Sequence, residues 1–168
     1  ENPKPTVTIS NPGAESYCFG ETVTAPLFTF TGTAPYEFTY TDGVNSSVTA
    51  TSTTATFSPT APSAVGNYTY KVTALSDANC TANASSLTSA ASIEIKHRPT
   101  ITTAETSGNV CAGNLLSVSC IAENATGATY TWSGPNSYSA STANAVVATS
   151  AMRDNSGVYT VVVDLDGC

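Results

Sequence analysis

Charged residues are scarce in this sequence, and basic residues are the scarcest of them. Lys, Arg, Asp and Glu make up 10% of the 168 residues, with five basic residues against 12 acidic ones and a net charge of -7. A nucleic-acid-binding protein needs a basic stripe that displaces counterions from the phosphates. Because no such stripe is present, we expect no nucleic-acid partner.

Long apolar runs and clusters of good helix formers are also missing. No stretch approaches the ~20 apolar residues that cross a bilayer, so no membrane span is predicted. About three residues in ten are Thr or Ser, and β-branched Thr suits a half-exposed pleated surface. With 40% hydrophobic residues for a core, the composition predicts an all-β fold. The opening residues Glu-Asn-Pro-Lys-Pro do not have the pattern of a signal peptide. We expect an internal fragment of a longer protein, and removal of a signal peptide is the alternative.

Catalytic groups in a recognisable arrangement are absent as well. The one histidine, His97, has no second histidine to work with, and the sequence contains neither a phosphate-binding glycine loop nor a Cys-x-x-Cys pair. We therefore expect no enzyme activity, no cofactor and no metal site. Asp164 and Asp166 leave a Ca²⁺ site open as the less favoured alternative to a plain loop.

An internal repeat organises the chain. Four segments recur in the same order, at offsets of 94, 93, 91 and 88 residues. These offsets are the distances in sequence from Pro5 to Pro99, from Cys18 to Cys111, from Gly66 to Gly157 and from Cys80 to Cys168. Four matches in register indicate two homologous modules. We place the first at residues 1–97 and the second at residues 98–168.

Short runs of alternating or β-branched residues between Gly and Pro predict the strands. Those of the first module are 6–9, 23–30, 36–41, 47–50, 55–58, 67–75 and 91–96. Those of the second are 101–104, 116–121, 129–132, 137–140, 143–148 and 158–164. The pattern predicts two tandem immunoglobulin-like β-sandwiches, the second lacking its last strand within this chain. Truncation is the favoured reason, and a strand donated from elsewhere is the alternative.

The second module carries the spacing of an immunoglobulin fold. Cys120 precedes Trp132 by twelve residues, as a B-strand cysteine precedes a C-strand tryptophan. Asp154, Gly157 and Tyr159 form the Asp-x-x-Gly-x-Tyr pattern of a tyrosine corner. Val161 stands where the second immunoglobulin cysteine is expected, so Cys120 is predicted to be a buried free thiol.

The other four cysteines fall at matching places in the two modules. The repeat favours the disulfides Cys18–Cys80 and Cys111–Cys168, each joining the segment before strand B to the segment after strand F. Five cysteines in a chain of low charge also indicate an oxidising compartment.

Alternating aromatic residues mark one strand of the first module. Tyr36, Phe38 and Tyr40 share one face of that strand. Core packing is the first interpretation, and a binding face for sugar or a partner protein is the second.

The first module, with Cys18-Phe19-Gly20, Tyr40-Thr41-Asp42-Gly43, Gly66-Asn67-Tyr68 and Asp77-Ala78-Asn79-Cys80, resembles the repeats of very large Bacteroidetes surface proteins. The SprB-type gliding-motility adhesins are examples, and the second module is similar to the immunoglobulin-like modules beside such repeats. The resemblance implies export by the type 9 secretion system, an extracellular location at the outer membrane and a role in adhesion or gliding. The implied partners are neighbouring modules, the secretion machinery, and surface polysaccharide or other cell-surface proteins.

Three functions therefore remain open at the level of sequence. The first is a structural and adhesive region of a large surface protein. The second is a spacer, or a weak carbohydrate-binding module, of a secreted enzyme. The third is a pilin-like subunit that a donor strand completes.

Overall fold

The computed structural model describes residues 2–168, which divide into two compact units. The first unit ends at Lys96 and the second begins at His97, one residue before the predicted boundary. None of the described residues lies in an α-helix, and the strands form several sheets. The predicted all-β fold class, two tandem immunoglobulin-like sandwiches, is confirmed.

The first unit contains eight strands and two sheets. The strands are β1 Thr6–Ser10, β2 Ser16–Cys18, β3 Leu27–Thr31, β4 Tyr36–Thr41, β5 Val48–Ser52, β6 Thr56–Phe57, β7 Gly66–Ser76 and β8 Ala90–Lys96. One sheet has the order β1-β3-β6 and the other the order β2-β8-β7-β4-β5. Only β2 and β8 pair in parallel among these strands. A 3₁₀ turn, Ala84–Ser86, precedes β8.

Alternation along β7 and β8 builds the core of the first unit. Tyr68, Tyr70 and Val72 of β7 and Ile93 and Ile95 of β8 are each no more than 5% exposed. The residues between them face away from this core, as expected for a strand with one buried face. Phe28 and Phe30 of β3 complete this core from the facing sheet, and Phe38 of β4 adds to it from the same sheet as β7 and β8.

Two features of the first unit differ from the predicted strands. The observed β3 begins at Leu27 rather than at Val23, and Pro26 lies immediately before it. Proline has no N–H to donate to a strand partner, so it suits the position just before a strand. The short strand β2 was not predicted, because three residues are too few to show a period.

The second unit contains six strands in two three-stranded sheets. They are β9 Thr100–Thr106, β10 Leu116–Glu123, β11 Thr129–Gly134, β12 Tyr138–Ala140, β13 Asn144–Ala148 and β14 Thr160–Asp164. The sheet orders are β13-β10-β9 and β12-β11-β14. One 3₁₀ turn, Pro135–Ser137, lies between β11 and β12, and another, Arg153–Asn155, lies between β13 and β14. Val118, Cys120 and Trp132 form the centre of its core.

The last strands of the two units have different neighbours. By the repeat, β14 corresponds to β7, since Gly157 and Tyr159 match Gly66 and Tyr68. The first-unit strand β7 pairs with β4 on one edge and β8 on the other. Among the described residues, β14 pairs only with β11. One edge of β14 is therefore open in residues 2–168.

Candidate functional site

The aromatic face of β4 is mostly core. Tyr36 is 3% exposed and Phe38 is 1% exposed, so the interpretation of these two residues as a binding face is wrong. The Phe38 ring packs against the rings of Phe30 and Phe57, with centroids 4.8 and 4.9 Å away. Both residues point towards the facing sheet, because strand alternation places them on the buried side of β4.

Tyr40, the third residue of that face, lies half-buried at the end of the strand. It lines a cleft of about 550 Å³, which we call the Tyr40 cleft. The walls of the Tyr40 cleft are residues 40–42, 44–46, 48, 59–65, 68 and 70. The cleft combines tyrosine rings with a proline-containing loop and one carboxylate, Asp42. A shallow, partly apolar site with a few polar groups suits a weakly bound ligand.

Asp42 organises the loop at the mouth of the Tyr40 cleft. Its Oδ1 accepts the N–H groups of Val44 and Asn45 at 2.9 and 2.7 Å, and its Oδ2 accepts the Asn45 side-chain amide at 2.7 Å. Burial acts to raise the pKa of the Asp42 carboxyl, but the hydrogen bonds from Asn45 and Val44 outweigh it and the pKa is lowered. Asp42 therefore acts first as a turn residue that shapes the cleft.

The hydroxyls of Tyr40 and Tyr70 stay protonated at neutral pH. Burial, and then the charge of Asp42, raises the pKa of Tyr40. The same two causes, burial first, raise the pKa of Tyr70 to about 12. The Tyr68 and Tyr70 hydroxyls already donate to the carbonyls of Ala64 and Thr60, at 2.9 and 3.5 Å. The cleft thus offers a ligand chiefly the half-buried ring of Tyr40.

The predicted fold-signature residues of the second unit lie together. Trp132 is 2% exposed, and its indole N–H donates to the carbonyl of Thr142 at 3.0 Å. The Tyr159 hydroxyl donates to the carbonyl of Asn155 at 2.6 Å. That bond runs four residues back along the chain, as in a tyrosine corner. Asp154 belongs to the 3₁₀ turn that forms this corner, and its carbonyl accepts the Asn136 amide at 2.8 Å.

The first unit has the same corner, which the sequence analysis missed. The Tyr68 hydroxyl donates to the carbonyl of Ala64 at 2.9 Å, again four residues back. The signal was present in the repeat, because Gly66 and Tyr68 match Gly157 and Tyr159. The missing aspartate of the Asp-x-x-Gly-x-Tyr pattern concealed it.

The predicted pair Cys18–Cys80 does not form. Cys80 carries a free thiol, and Cys18 is disulfide-bonded. Cys18 lies beside Lys96 at the end of the sheet where β7 starts, whereas Cys80 follows the other end of β7. The 11 residues of β7 span roughly 30 Å, and a disulfide needs Cα atoms within about 7 Å.

The predicted pair Cys111–Cys168 fails for the same reason. Cys111 carries an exposed free thiol, and Cys168 is disulfide-bonded. Cys111 precedes the start of β10, whereas Cys168 follows β14, whose end pairs with Thr129, just after the end of β10. The eight residues of β10 span roughly 25 Å. In both units, therefore, the two cysteines of the predicted pair lie at opposite ends of the unit.

Cys120 is 4% exposed within the core of the second unit and carries a free thiol. Burial raises the pKa of this thiol. A buried thiol of raised pKa has little thiolate and reacts slowly.

Residues 2–168 contain neither a cluster of metal-binding side chains nor a helix suited to crossing a membrane. No group of three or more His, Cys, Asp or Glu side chains is arranged to hold a metal ion. No helix within this range has both the length and the apolar character that crossing a membrane requires.

Two sandwiches with tyrosine corners, joined in one chain, define a tandem immunoglobulin-like structural protein. Residues 1–100 match the family model described as "Nucleoporin pom152-like, immunoglobulin-like domain", and the chain belongs to this family. The match covers all of the first unit. No curated protein is similar enough to match the chain.

Proposed function

We propose that this chain is a structural and adhesive repeat region of a large secreted cell-surface protein that acts in surface adhesion or gliding motility. The observation that carries the proposal is the tandem arrangement of two immunoglobulin-like units. Each unit buries its own core, so such units can be repeated to build length. A catalytic role has no support in the chemistry of the Tyr40 cleft.

Two further features agree with a place outside the cytoplasm. Cys18 and Cys168 are disulfide-bonded, and disulfides persist in oxidising compartments. The surface is also poor in charge, with 10% charged residues in the chain. Polar Thr and Ser side chains take the place of charges on the outer faces of the strands.

Fab fragments raised against this chain test the proposal on intact cells that make the parent protein. We expect the fragments to label unbroken cells and to reduce their attachment to a surface or their gliding speed. Fab fragments of unrelated specificity are the control. Labelling that appears only after lysis would contradict the surface location, and labelling without any effect on attachment or gliding would contradict the adhesive role.

The Tyr40 cleft favours a second candidate, a spacer or weak carbohydrate-binding module of a secreted enzyme. The half-buried Tyr40 ring near the end of β4 offers a stacking surface to a sugar. Binding of the chain to a polysaccharide array, lost in Tyr40→Ala and kept in Phe19→Ala, is the expected result. Phe19 is the matched control, because it is an aromatic residue 51% exposed and outside the Tyr40 cleft.

The open edge of β14 favours a third candidate, a subunit completed by a donor strand. In the first unit, β8 occupies the corresponding edge and adds Ile93 and Ile95 to the core. An extended peptide with the sequence of residues 90–96 is the matching probe. Binding that protects β14 amides from hydrogen exchange is expected for this candidate, and a scrambled peptide is the control.

A further inference from the structure

Each unit holds a cysteine at the start of the same kind of turn: Cys18 ends β2 ahead of β3, and Cys111 precedes β10. The carbonyl of Cys18 accepts the N–H of Glu21 at 3.0 Å, and the carbonyl of Cys111 accepts the N–H of Asn114 at 3.1 Å. The glycine two residues after each cysteine has a φ near +90°. We call Cys18 and Cys111 the turn cysteines.

Each unit also holds a cysteine at the same distance after its F strand. Cys80 lies four residues after the end of β7, and Cys168 lies four residues after the end of β14. We call these two the tail cysteines. A turn cysteine and a tail cysteine of one unit lie at opposite ends of that sandwich, which excludes a bond between them.

One cysteine of each class is disulfide-bonded, and the other cysteine of each class is a free thiol. Cys18, a turn cysteine, and Cys168, a tail cysteine, are disulfide-bonded. Cys111, a turn cysteine, and Cys80, a tail cysteine, are thiols. Cys111 is exposed and Cys80 is half-buried, so both are accessible, in contrast to Cys120. Each class of position is therefore bonded in one unit and a thiol in the other.

We propose that Cys80 and Cys111 are linking cysteines, each of which forms a disulfide with the complementary class of cysteine in another module of this kind. A disulfide oxidant such as oxidised glutathione supplies the chemistry. One thiolate attacks the oxidant, forms a mixed disulfide and releases one glutathione thiol. The second protein thiolate then displaces the other glutathione, so that two protein thiols become one disulfide and the oxidant accepts two electrons and two protons.

Because the two classes differ, the association is head-to-tail. A turn cysteine on one molecule and a tail cysteine on the next leave one free cysteine of each class at the two ends of the growing chain. Such heterologous contacts give open chains or rings rather than closed two-fold dimers. The bond is independent of the adhesive role, since it depends only on the cysteines and on the turns that hold them.

Incubation of the purified chain in a glutathione redox buffer, with air excluded, tests the proposal. A second copy of the chain then serves as the partner module. We expect a ladder of covalent oligomers on non-reducing gels, with Cys80–Cys111 as the cross-linked peptide in mass spectra. Cys80→Ser and Cys111→Ser should each lose the ladder, and an equimolar mixture of the two should yield a heterodimer. Cys120→Ala, which alters the buried thiol, should keep the ladder.

Two outcomes would overturn the proposal. One is a monomer that carries only glutathione adducts on Cys80 and Cys111. The other is formation of homodimers by each single variant as readily as the mixture forms heterodimers, because pairing would then ignore the class of cysteine. Peptide mapping reads both outcomes directly on the wild-type chain, so they do not depend on the folding of a variant.

Discussion

The first unit buries fourteen of its described residues in one cluster, and seven of them are aromatic. The second unit, with the same tyrosine corner, has a central cluster of three buried residues. Strand β8 supplies three residues of the first cluster, Ala91, Ile93 and Ile95, and the other strands of the first unit supply the rest. At the open edge of β14, Val161 and Val163 are only half-buried. The comparison teaches that the last strand closes the core, and that without it the fold depends on a few large side chains.

Trp132→Ala should have the largest effect, because Trp132 is the one large, fully buried side chain of the second unit's central cluster. Truncation of a buried tryptophan costs about 3–5 kcal/mol, a large share of the stability of a small domain. We expect the second unit to lose its protection against hydrogen exchange while the first unit keeps it. Val162→Ala, at a side chain 59% exposed on β14, is the control. If the second unit of Trp132→Ala kept its protection against hydrogen exchange, the conclusion that this unit depends on a few large side chains would be wrong.

Phe38→Ala and Tyr40→Ala sharpen the comparison within the first unit. Phe38 is 1% exposed and should lose about 3–5 kcal/mol on truncation. Tyr40, two residues along the same face, is half-buried and should lose roughly 1–2 kcal/mol. Urea unfolding of the first unit measures both losses. Equal losses would mean that Tyr40 is as much a core residue as Phe38 and would weaken its assignment to the cleft.

Much of the fold follows from local chemistry. The all-β class follows from Thr-rich, helix-poor composition, and the two units follow from the repeat. The positions of Trp132 and Tyr159 follow from the immunoglobulin spacing. The start of β3 was missed by four residues, because apolar Val23 extends the pattern past a proline. Strand β2 depends on its pairing with β8, 78 residues further along at Ser16 and Glu94, and no local signal reports such a pairing.

The disulfides could not be predicted from the repeat alone. The repeat correctly identifies two equivalent pairs of positions, but it is silent on the direction of strands. Only the sheet register shows that Cys18 and Cys80 lie at opposite ends of β7. The Tyr40 cleft was beyond prediction for a similar reason, since its proline loop, residues 59–65, is brought to β4 by tertiary packing.

Gly157→Ala tests the corner on which the smaller core depends. Gly157 has a φ of +154°, and a Cβ there would lie 2.5 Å from the Pro135 Cγ. Strain and overlap together should cost about 2–3 kcal/mol. Gly127→Ala is the matched control, with a φ of +84° and no atom within 4 Å of a new Cβ, and should cost about 1 kcal/mol. Urea unfolding of the second unit measures the loss in the free energy of unfolding for each variant. Equal losses would show that overlap with Pro135 adds nothing to the cost.

Acid should distinguish the tail turns of the two units, with the smallest effect. Asp77 accepts the N–H groups of Thr33, Asn79 and Cys80 at 2.8, 2.9 and 2.7 Å. These bonds, that of Thr33 first, lower the pKa of the Asp77 carboxyl from its ordinary 3.8. At the corresponding turn of the second unit, the Cys168 N–H donates to the backbone carbonyl of Leu165, and the Asp164 carboxylate accepts the Gly167 N–H at the longer distance of 3.3 Å.

The sign of the acid effect follows from the lowered pKa. A carboxyl that is more acidic in the folded state stabilises it at pH values above 3.8, and this stabilisation is lost as the pH falls through the folded-state pKa. The urea midpoint of the first unit should therefore fall below pH 4, and Asp77→Asn should flatten that fall. Asp42 also has a lowered pKa, so Asp42→Asn is the matched variant that apportions the effect. If the urea midpoint of both variants falls with pH just as it does in the wild type, the two carboxylates do not contribute to the acid sensitivity of the first unit.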